Sequence, residues 1–476
     1  MAGGNKEQTK FQVFYGTFVD TPKLDELRVR PRTSVGVSKN GTIAFIKADS
    51  ENPLQEALEF DKTLQPWEIE VFDTFQEQGS SFFFPGFIDT HVHASQYPNA
   101  GIFGTSTLLD WLEKYTFPLE SSLADLQIAR RVYTRVLDKS LSNGTTTAAY
   151  YTTTSSVSSN LMADMCAKRG QRAFIGKVCM DRHAPDYYVE TTQESQESLL
   201  SVIDHIRNKL RDDKIQPIVT PRFAPCCSRE LMSWLGKLAS EQDLHIQTHL
   251  DENQSEIAWV KELFPESESY SHVYDDHDLL TEKTVLAHCV HLKEEEAALL
   301  KRRKCGISHC PISNSSITSG ECRVRWLLDQ GIKVGLGTDL SGGFSASILA
   351  TARQSLLVSR HVAMKETDPK YSERAKLSVA EVLFLASYGG AAVLNLEDQV
   401  GSFEIGKQFD AQLIDLESPT SNVDVFDWQH LTWNDKQQDK CNFDKFQDLI
   451  AKWLFNGDDR NTARVWVASN IVYSSA

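Results

Sequence analysis

The sequence predicts an α/β chain: a TIM-like (β/α)8 barrel with a small β-sandwich domain formed from both termini. Three observations carry this expectation. From Phe87 onward, eight short apolar runs alternate with stretches of helical spacing. Short runs rich in β-branched and aromatic residues, punctuated by turn residues, lie before and after that region. Four of the eight apolar runs end in His and a fifth runs directly into Asp339, and strand C-terminal ends are where such barrels carry their reactive groups.

Residues 1–86 read as the N-terminal half of the small domain. Strands are expected at 11–19, 34–37, 43–47 and 69–73, with Asn40-Gly41 as a hairpin turn between two of them. Residues 48–66 are polar and read as loop with some helix. Residues 87–396 read as the barrel, and its metal-dependent character is argued below. Its strands are expected at 87–91, 146–151, 173–179, 217–223, 244–249, 284–288, 306–309 and 332–338. Helices are expected at 126–141, 194–210, 229–241, 255–263 and 293–301. A last helix over 379–394 opens on a capping box of Ser378 and Glu381. Residues 397–476 read as the other half of the small domain, with strands at 411–415, 464–467 and 470–473. Between them 416–448 is polar and reads as a surface excursion.

Composition narrows the function. The 476 residues are 41% hydrophobic and 24% charged, ordinary for a globular chain and foreign to a disordered, collagen-like or membrane-embedded one. Acidic residues outnumber basic ones 65 to 49, a net charge of −16. Nucleic-acid partners need a basic footprint and are disfavoured. Nine cysteines, an odd number, do not make a disulfide framework and fit free thiols in a reducing compartment. No secretory h-region is visible and no apolar run approaches the roughly 18 residues of a membrane span. The expected address is cytoplasmic, with no membrane partner.

The chemistry concentrates in Asp89-Thr90-His91-Val92-His93. Two His at i and i+2 of a strand point to the same side, and imidazole binds Zn²⁺ at about 2.0–2.1 Å. Further strand ends carry His249, His288, His309 and Asp339. Packing alone gives no reason for ligand-type residues at five of eight ends. His91, His93, His249 and Asp339 would suffice for a catalytic zinc that keeps one position open. His288 would then touch the bound water. His309 reads equally as support for the site or as a buried side chain. The fourth strand end lacks the bridging lysine that a two-metal relative would want. Glu252, three residues beyond His249, falls on a loop above the metal and suits proton transfer; Asp251 beside it reads as solvated. Arg222 offers a rigid donor fork and Phe223 a stacking face, or else a surface ion pair and a core ring. Trp111 and the aromatic residues of 108–117 read as helix packing rather than substrate contacts. No P-loop or zinc-finger spacing is present.

These residues sit in longer strings: PGFIDTHVHASQY (85–97), LDWLEKYTFP (109–118), GKVCMD (176–181), TPRF (220–223), SHCP (308–311), GLGTD (335–339) and FNGDDRN (455–461). Together they resemble the guanine deaminase branch of the amidohydrolase superfamily, over about residues 14–473. The segment 416–448 looks longer than in short members. The resemblance implies hydrolysis of guanine to xanthine and ammonia in purine catabolism, by a water activated on one Zn²⁺ held by His91, His93, His249 and Asp339. It implies Glu252, His288 and Asp339 as catalytic groups: Glu252 shuttles a proton to ring N3, hydroxide attacks C2, Asp339 helps deprotonate the water and His288 holds it. It implies substrate contacts from His93, Ala94, Ser95, Gln96, Arg222, Phe223, His249, Glu252 and Asp339, with Gln96, Arg222 and Phe223 clamping the purine. It also implies a homodimer. A sister deaminase or chlorohydrolase would keep the metal set and change the pocket around Gln96 and Arg222. A catalytically dead scaffold would have no reason to keep the set intact.

Overall fold

The computed structural model describes residues 10–75, 80–431 and 439–475, with the side chains of 439–441 excepted. The eight expected barrel strands form as Phe87–His93, Thr145–Tyr151, Arg172–Gly176, Ile215–Pro221, His245–Leu250, Thr284–His288, Gly306–His309 and Lys333–Leu336. Each pairs in parallel with the next. Their side chains are almost all buried, as strands covered on both faces require. Past the last strand, Asp339 N–H reaches His91 O at 2.9 Å and His93 N–H reaches Leu340 O at 3.1 Å. The Asp89 carboxylate accepts Thr338 N–H at 3.0 Å and the Thr338 hydroxyl at 2.6 Å. The barrel is thus shut at its C-terminal rim, where the His- and Asp-bearing ends lie.

The expected helices appear where amphipathic spacing put them: Leu126–Ser142, Thr192–Asp204 continued by a wider turn over His205–Leu210, Arg229–Gln242, Gln254–Leu263 and Glu294–Arg303. The single helix expected over 379–394 is instead two, Val379–Ala386 and Tyr388–Val393. Its capping box is present, with Glu381 N–H on Ser378 Oγ at 3.2 Å and Ser378 N–H on Glu381 Oε2 at 2.8 Å. The break falls at Ser387, φ −128° and ψ −92°. It lets Gly389 and Gly390 lie against the strands, where a Cβ on Gly389 would stand 2.7 Å from Val334 O and one on Gly390 2.9 Å from Ile88 Cβ.

The small domain is a mixed sheet of Phe11–Lys23, Glu26–Val37, Ile43–Lys47, Ile69–Asp73, Ser81–Pro85, Ala411–Asp415, Thr462–Val467 and Asn470–Ser474. Antiparallel pairing of Ser81–Pro85 with Ala411–Asp415 joins the two ends of the chain. The sheet bends over an aromatic core. Phe14 stacks on Phe409 at 4.0 Å, and Phe72 meets Trp466 at 6.2 Å although their strands lie four apart in the sheet. Gly41 makes the expected hairpin turn at φ +83°.

The polar stretch 416–448 is only partly a surface excursion. Residues 432–438 lie outside the described residues, but Asp439–Asn456 is a helix. It buries Phe446, Leu449, Ile450, Trp453 and Leu454, an i, i+3, i+4, i+7, i+8 stripe whose first member lies inside the polar-looking stretch. Trp453 meets Phe82, Phe84 and Phe87 at 5.4, 5.3 and 5.8 Å, so this helix ties the sheet to the first barrel strand. Eight cysteines are free and buried; the ninth, Cys441, has its side chain outside the described residues. No helix among the described residues is long and apolar enough to cross a membrane.

Candidate metal centre

The first strand carries His91 and His93 to the rim with ring centroids 5.0 Å apart. The fifth brings His249 and the sixth His288, whose rings lie 4.8 and 5.5 Å from that of His91. Asp339 follows the eighth strand. His91 Nε2 stands 3.2 Å and His93 Nε2 3.5 Å from Asp339 Oδ1, and His93 Nε2 lies 3.2 Å from His249 Nε2. A tetrahedral zinc with bonds of about 2.0–2.1 Å separates its ligands by about 3.3 Å, which is the spacing of these three pairs. The donor atoms fall into two trios sharing His91: His91, His93 and Asp339, and His91, His249 and His288.

Hydrogen bonds on the far sides of the rings aim the lone pairs inward. His249 donates Nδ1–H to Arg222 O at 2.6 Å, and His288 donates Nδ1–H to Asn314 Oδ1 at 2.8 Å. Each Nε2 is then an acceptor facing the centre. His91 Nε2 and His288 Nε2 are buried without any hydrogen-bond partner. A buried cluster of mutually repelling acceptors fits a cation, and three nitrogens with one carboxylate oxygen fit Zn²⁺.

Electrostatics agree. Burial first, then the neighbouring imidazoles, pulls the pKa of His93 and His249 well below the usual histidine value, and burial lowers His91 as well. The rings are therefore neutral and able to ligate. Burial works to raise Asp339, yet its 3.2 Å contact with His91 Nε2 and the imidazoles around it hold its pKa below the ordinary carboxylate value. Glu252 goes the other way. Burial and the Asp339 charge raise it well above its usual range. Its Oε2 lies 3.4 Å from His288 Nε2, and its Oε1 accepts the Ser319 hydroxyl at 3.3 Å. Two carboxyl groups with pKa values driven apart in one pocket are the arrangement that acid–base chemistry uses. His288 and Asp339 hold φ +73° and +44°, left-handed backbone that non-glycine residues adopt at a cost and that clusters at functional sites.

A cavity opens on this centre. His93, His249, Glu252 and Asp339 form its floor, with Gln96, Arg222 and Phe223 at its side. Leu108, Trp111, Leu112 and Ile317 supply apolar walls. Trp111, read from sequence as packing alone, does pack with Phe117 and Tyr188 but also faces the cavity. Ala94 and Ser95 are buried in the turn after the first strand and do not line the cavity; the Ser95 hydroxyl is turned to Thr152 O at 3.1 Å. Asp251, expected to be solvated, is 1% exposed, and burial together with Glu296 and Glu256 raises its pKa. It is drawn in because its carbonyl accepts Val290 and His291 N–H at 3.0 and 3.1 Å. His309 is buried with both ring nitrogens unpartnered, its pKa pulled down to about 3 by burial.

Three polar residues of this region escaped the sequence reading. Asn314 fixes His288. Glu256 Oε2 accepts Glu252 N–H at 3.0 Å and lines the cavity. Glu120 is fully buried and takes Arg222 Nη1–H at 2.7 Å, so Arg222 is not a free fork. Glu120 is the second residue after the 109–118 string, and no spacing distinguishes it from a surface carboxylate.

Residues 82–472 match the model of the amidohydrolase family. The chain is 46% identical to a probable guanine deaminase of Schizosaccharomyces pombe, over 97% of this chain and 83% of that protein. It is 40% identical to the guanine deaminase of Homo sapiens, over 97% and 96% of the two chains. The crystal structure of guanine deaminase from C. acetobutylicum with bound guanine in the active site superposes with a TM-score of 0.83 at 31% identity, covering 98% of this chain and all of that one. The chain belongs to the amidohydrolase family and, within it, to the guanine deaminases.

Proposed function

We propose that this chain hydrolyses guanine to xanthine and ammonia, holding one Zn²⁺ on His91, His93, His249 and Asp339. The observation that carries the reading is the set of inward-facing acceptors on one rim, with Glu252, whose pKa burial raises, beside them in a cavity edged by Gln96, Arg222 and Phe223. The bound ion supplies the Lewis acidity that makes water a nucleophile at neutral pH. The remaining chemistry belongs to the chain. Arg222 and Gln96 present N–H donors to the purine carbonyl, and Phe223 offers a stacking face. Glu252 gives a proton to ring N3 as hydroxide adds to C2, then takes the proton of the new C2 hydroxyl as the carbonyl forms and the C2–N bond breaks. Asp339, held ionised, accepts a proton from the attacking water and passes it to the departing amine, which leaves as ammonia, and His288 orients that water. Walls of Leu108, Trp111, Leu112 and Ile317 exclude bulk solvent and strengthen each polar contact inside.

The reading extends to a place in purine catabolism and to a cytoplasmic address, supported by the buried free thiols. A homodimer rests on the family likeness alone. Ammonia release from guanine, measured beside adenine and cytosine, tests the activity: guanine is the preferred substrate, and a chain that turns over adenine or cytosine but leaves guanine untouched contradicts it.

A further inference from the structure

Glu120 lies behind the cavity, not in it. It sits on the short helix Phe117–Ser122, which continues the segment whose Leu108, Trp111 and Leu112 wall the cavity. It is completely buried, and every side chain that reaches it there is a donor. Arg222 Nη1 and Nη2 approach Oε2 and Oε1 at 2.7 and 3.4 Å. Gln96 Nε2 approaches Oε1 at 2.8 Å, the Tyr188 hydroxyl approaches Oε2 at 2.9 Å, and the Ser95 hydroxyl stands 3.4 Å from Oε1. Two carboxylate oxygens have about four lone-pair sites, so this acceptor is saturated.

Such a group decides how its neighbours face the substrate. A carboxylate only accepts, so it can bind the Gln96 amide through Nε2 alone and forbids the flipped amide. From the other side Ser341 N–H points at Gln96 Oε1, 3.4 Å away, which favours the same orientation. The second Nε2 hydrogen and the remaining guanidinium hydrogens of Arg222 are left to donate. The charge of Glu120 also compensates that of Arg222, which has no other ion-pair partner among the described residues. Burial alone would pull the Arg222 pKa down, and the adjacent Glu120 more than offsets it, leaving it raised.

We infer that Glu120 is a positioning residue that sets purine selectivity: by locking Arg222 and Gln96 as donors, it makes the cavity edge accept a ring carbonyl and reject an exocyclic amine at the same place. The inference rests on the purine reading above, and its substrate class is the 6-oxopurines as against the 6-aminopurines. A site built to donate to an oxygen rejects an analogue that also donates, because two donors are then left facing each other.

The test is equilibrium binding, which does not depend on turnover. Hypoxanthine and adenine both lack the amine at C2 and differ at C6 by carbonyl against amine. Calorimetric titration of the zinc-loaded protein should show hypoxanthine binding more tightly. In Glu120→Gln, which can itself donate and so frees the Gln96 amide to flip, that preference should fall by at least about tenfold with zinc content unchanged. A role in packing alone would weaken both ligands together and leave the ratio intact. Tyr188→Phe removes one of the donors to Glu120 without altering a residue that lines the cavity; it should shift the ratio the same way by a smaller factor, and it decides the matter if Glu120→Gln does not fold. An unchanged ratio in folded Glu120→Gln, or in Tyr188→Phe where that variant decides, overturns the inference, as does a wild-type protein with no preference for hypoxanthine. Guanine turnover is followed in parallel: its absence with the binding preference intact would reject the proposed reaction and spare the role of Glu120.

Discussion

His249 donates its Nδ1–H to the backbone carbonyl of Arg222, 2.6 Å away. One strand end thereby orients the imidazole of the next, and the residue that lines the cavity with its side chain steers a ligand-type histidine with its main chain. The two tasks are separable, because a backbone carbonyl survives substitution of the side chain.

Arg222→Met should therefore keep its zinc while losing substrate affinity. Charge-assisted hydrogen bonds are worth about 1.5–3 kcal/mol, so KM for guanine should rise roughly ten- to a hundredfold. Thermal stability should drop as well, since Glu120 is left as a buried unpaired charge. Zinc content by mass spectrometry, measured beside KM, checks the separation; loss of metal together with affinity would contradict it.

Glu252→Gln should retain metal and fold, and lose about 10²–10⁴ in kcat. The amide keeps the shape and the contact with Ser319 but has no proton to exchange. Near-normal turnover would remove Glu252 from the proton path.

Gly337 stands where a Cβ would lie 2.5 Å from Ser308 Oγ and 2.7 Å from His91 Cβ. Gly337→Ala should push His91 off its position, costing about 1–3 kcal/mol by overpacking. Zinc affinity should weaken by tenfold or more, read by competition with a chromophoric chelator. Unaltered affinity would show that the rim tolerates the shift.

His245, at the start of the fifth barrel strand and remote from its rim, gives a pH prediction. Burial, and after it the charge of Lys283, brings its pKa from 6.5 to about 4, and its Nε2 contacts Leu394 O at 3.0 Å. Between those values the unfolded chain binds a proton that the folded chain refuses. Its contribution is thus fully present above pH 6.5 and is lost progressively as pH falls toward 4, on the order of 3 kcal/mol at the lower end. Denaturant titrations across this range should give a flatter pH dependence for His245→Gln than for wild type. Parallel curves would contradict the assignment.

The barrel was legible because its strands are short, apolar and separated by amphipathic helices, and because His91, His93, His249, His288 and Asp339 all fall at their ends. Where the reading stopped short, the missing information was three-dimensional. The helix over 379–394 breaks at Ser387 to seat Gly389 and Gly390 on the strands, a demand of contact that helical periodicity does not encode. Asp251 looks like a solvated loop acid until neighbouring backbone N–H groups draw it inward. Trp111 packs, as expected, yet the side it leaves open is a cavity wall. Glu120 gave no signal: its meaning comes from Arg222, 102 residues away in sequence.

The most direct measurement is a zinc titration of the metal-stripped protein with xanthine formation as the readout. The account predicts no turnover of guanine without metal, a linear rise with added Zn²⁺ and a sharp plateau at one equivalent per chain. Turnover that survives stripping, or a plateau that needs two equivalents, would contradict a single ion held by the histidines and aspartate of the rim.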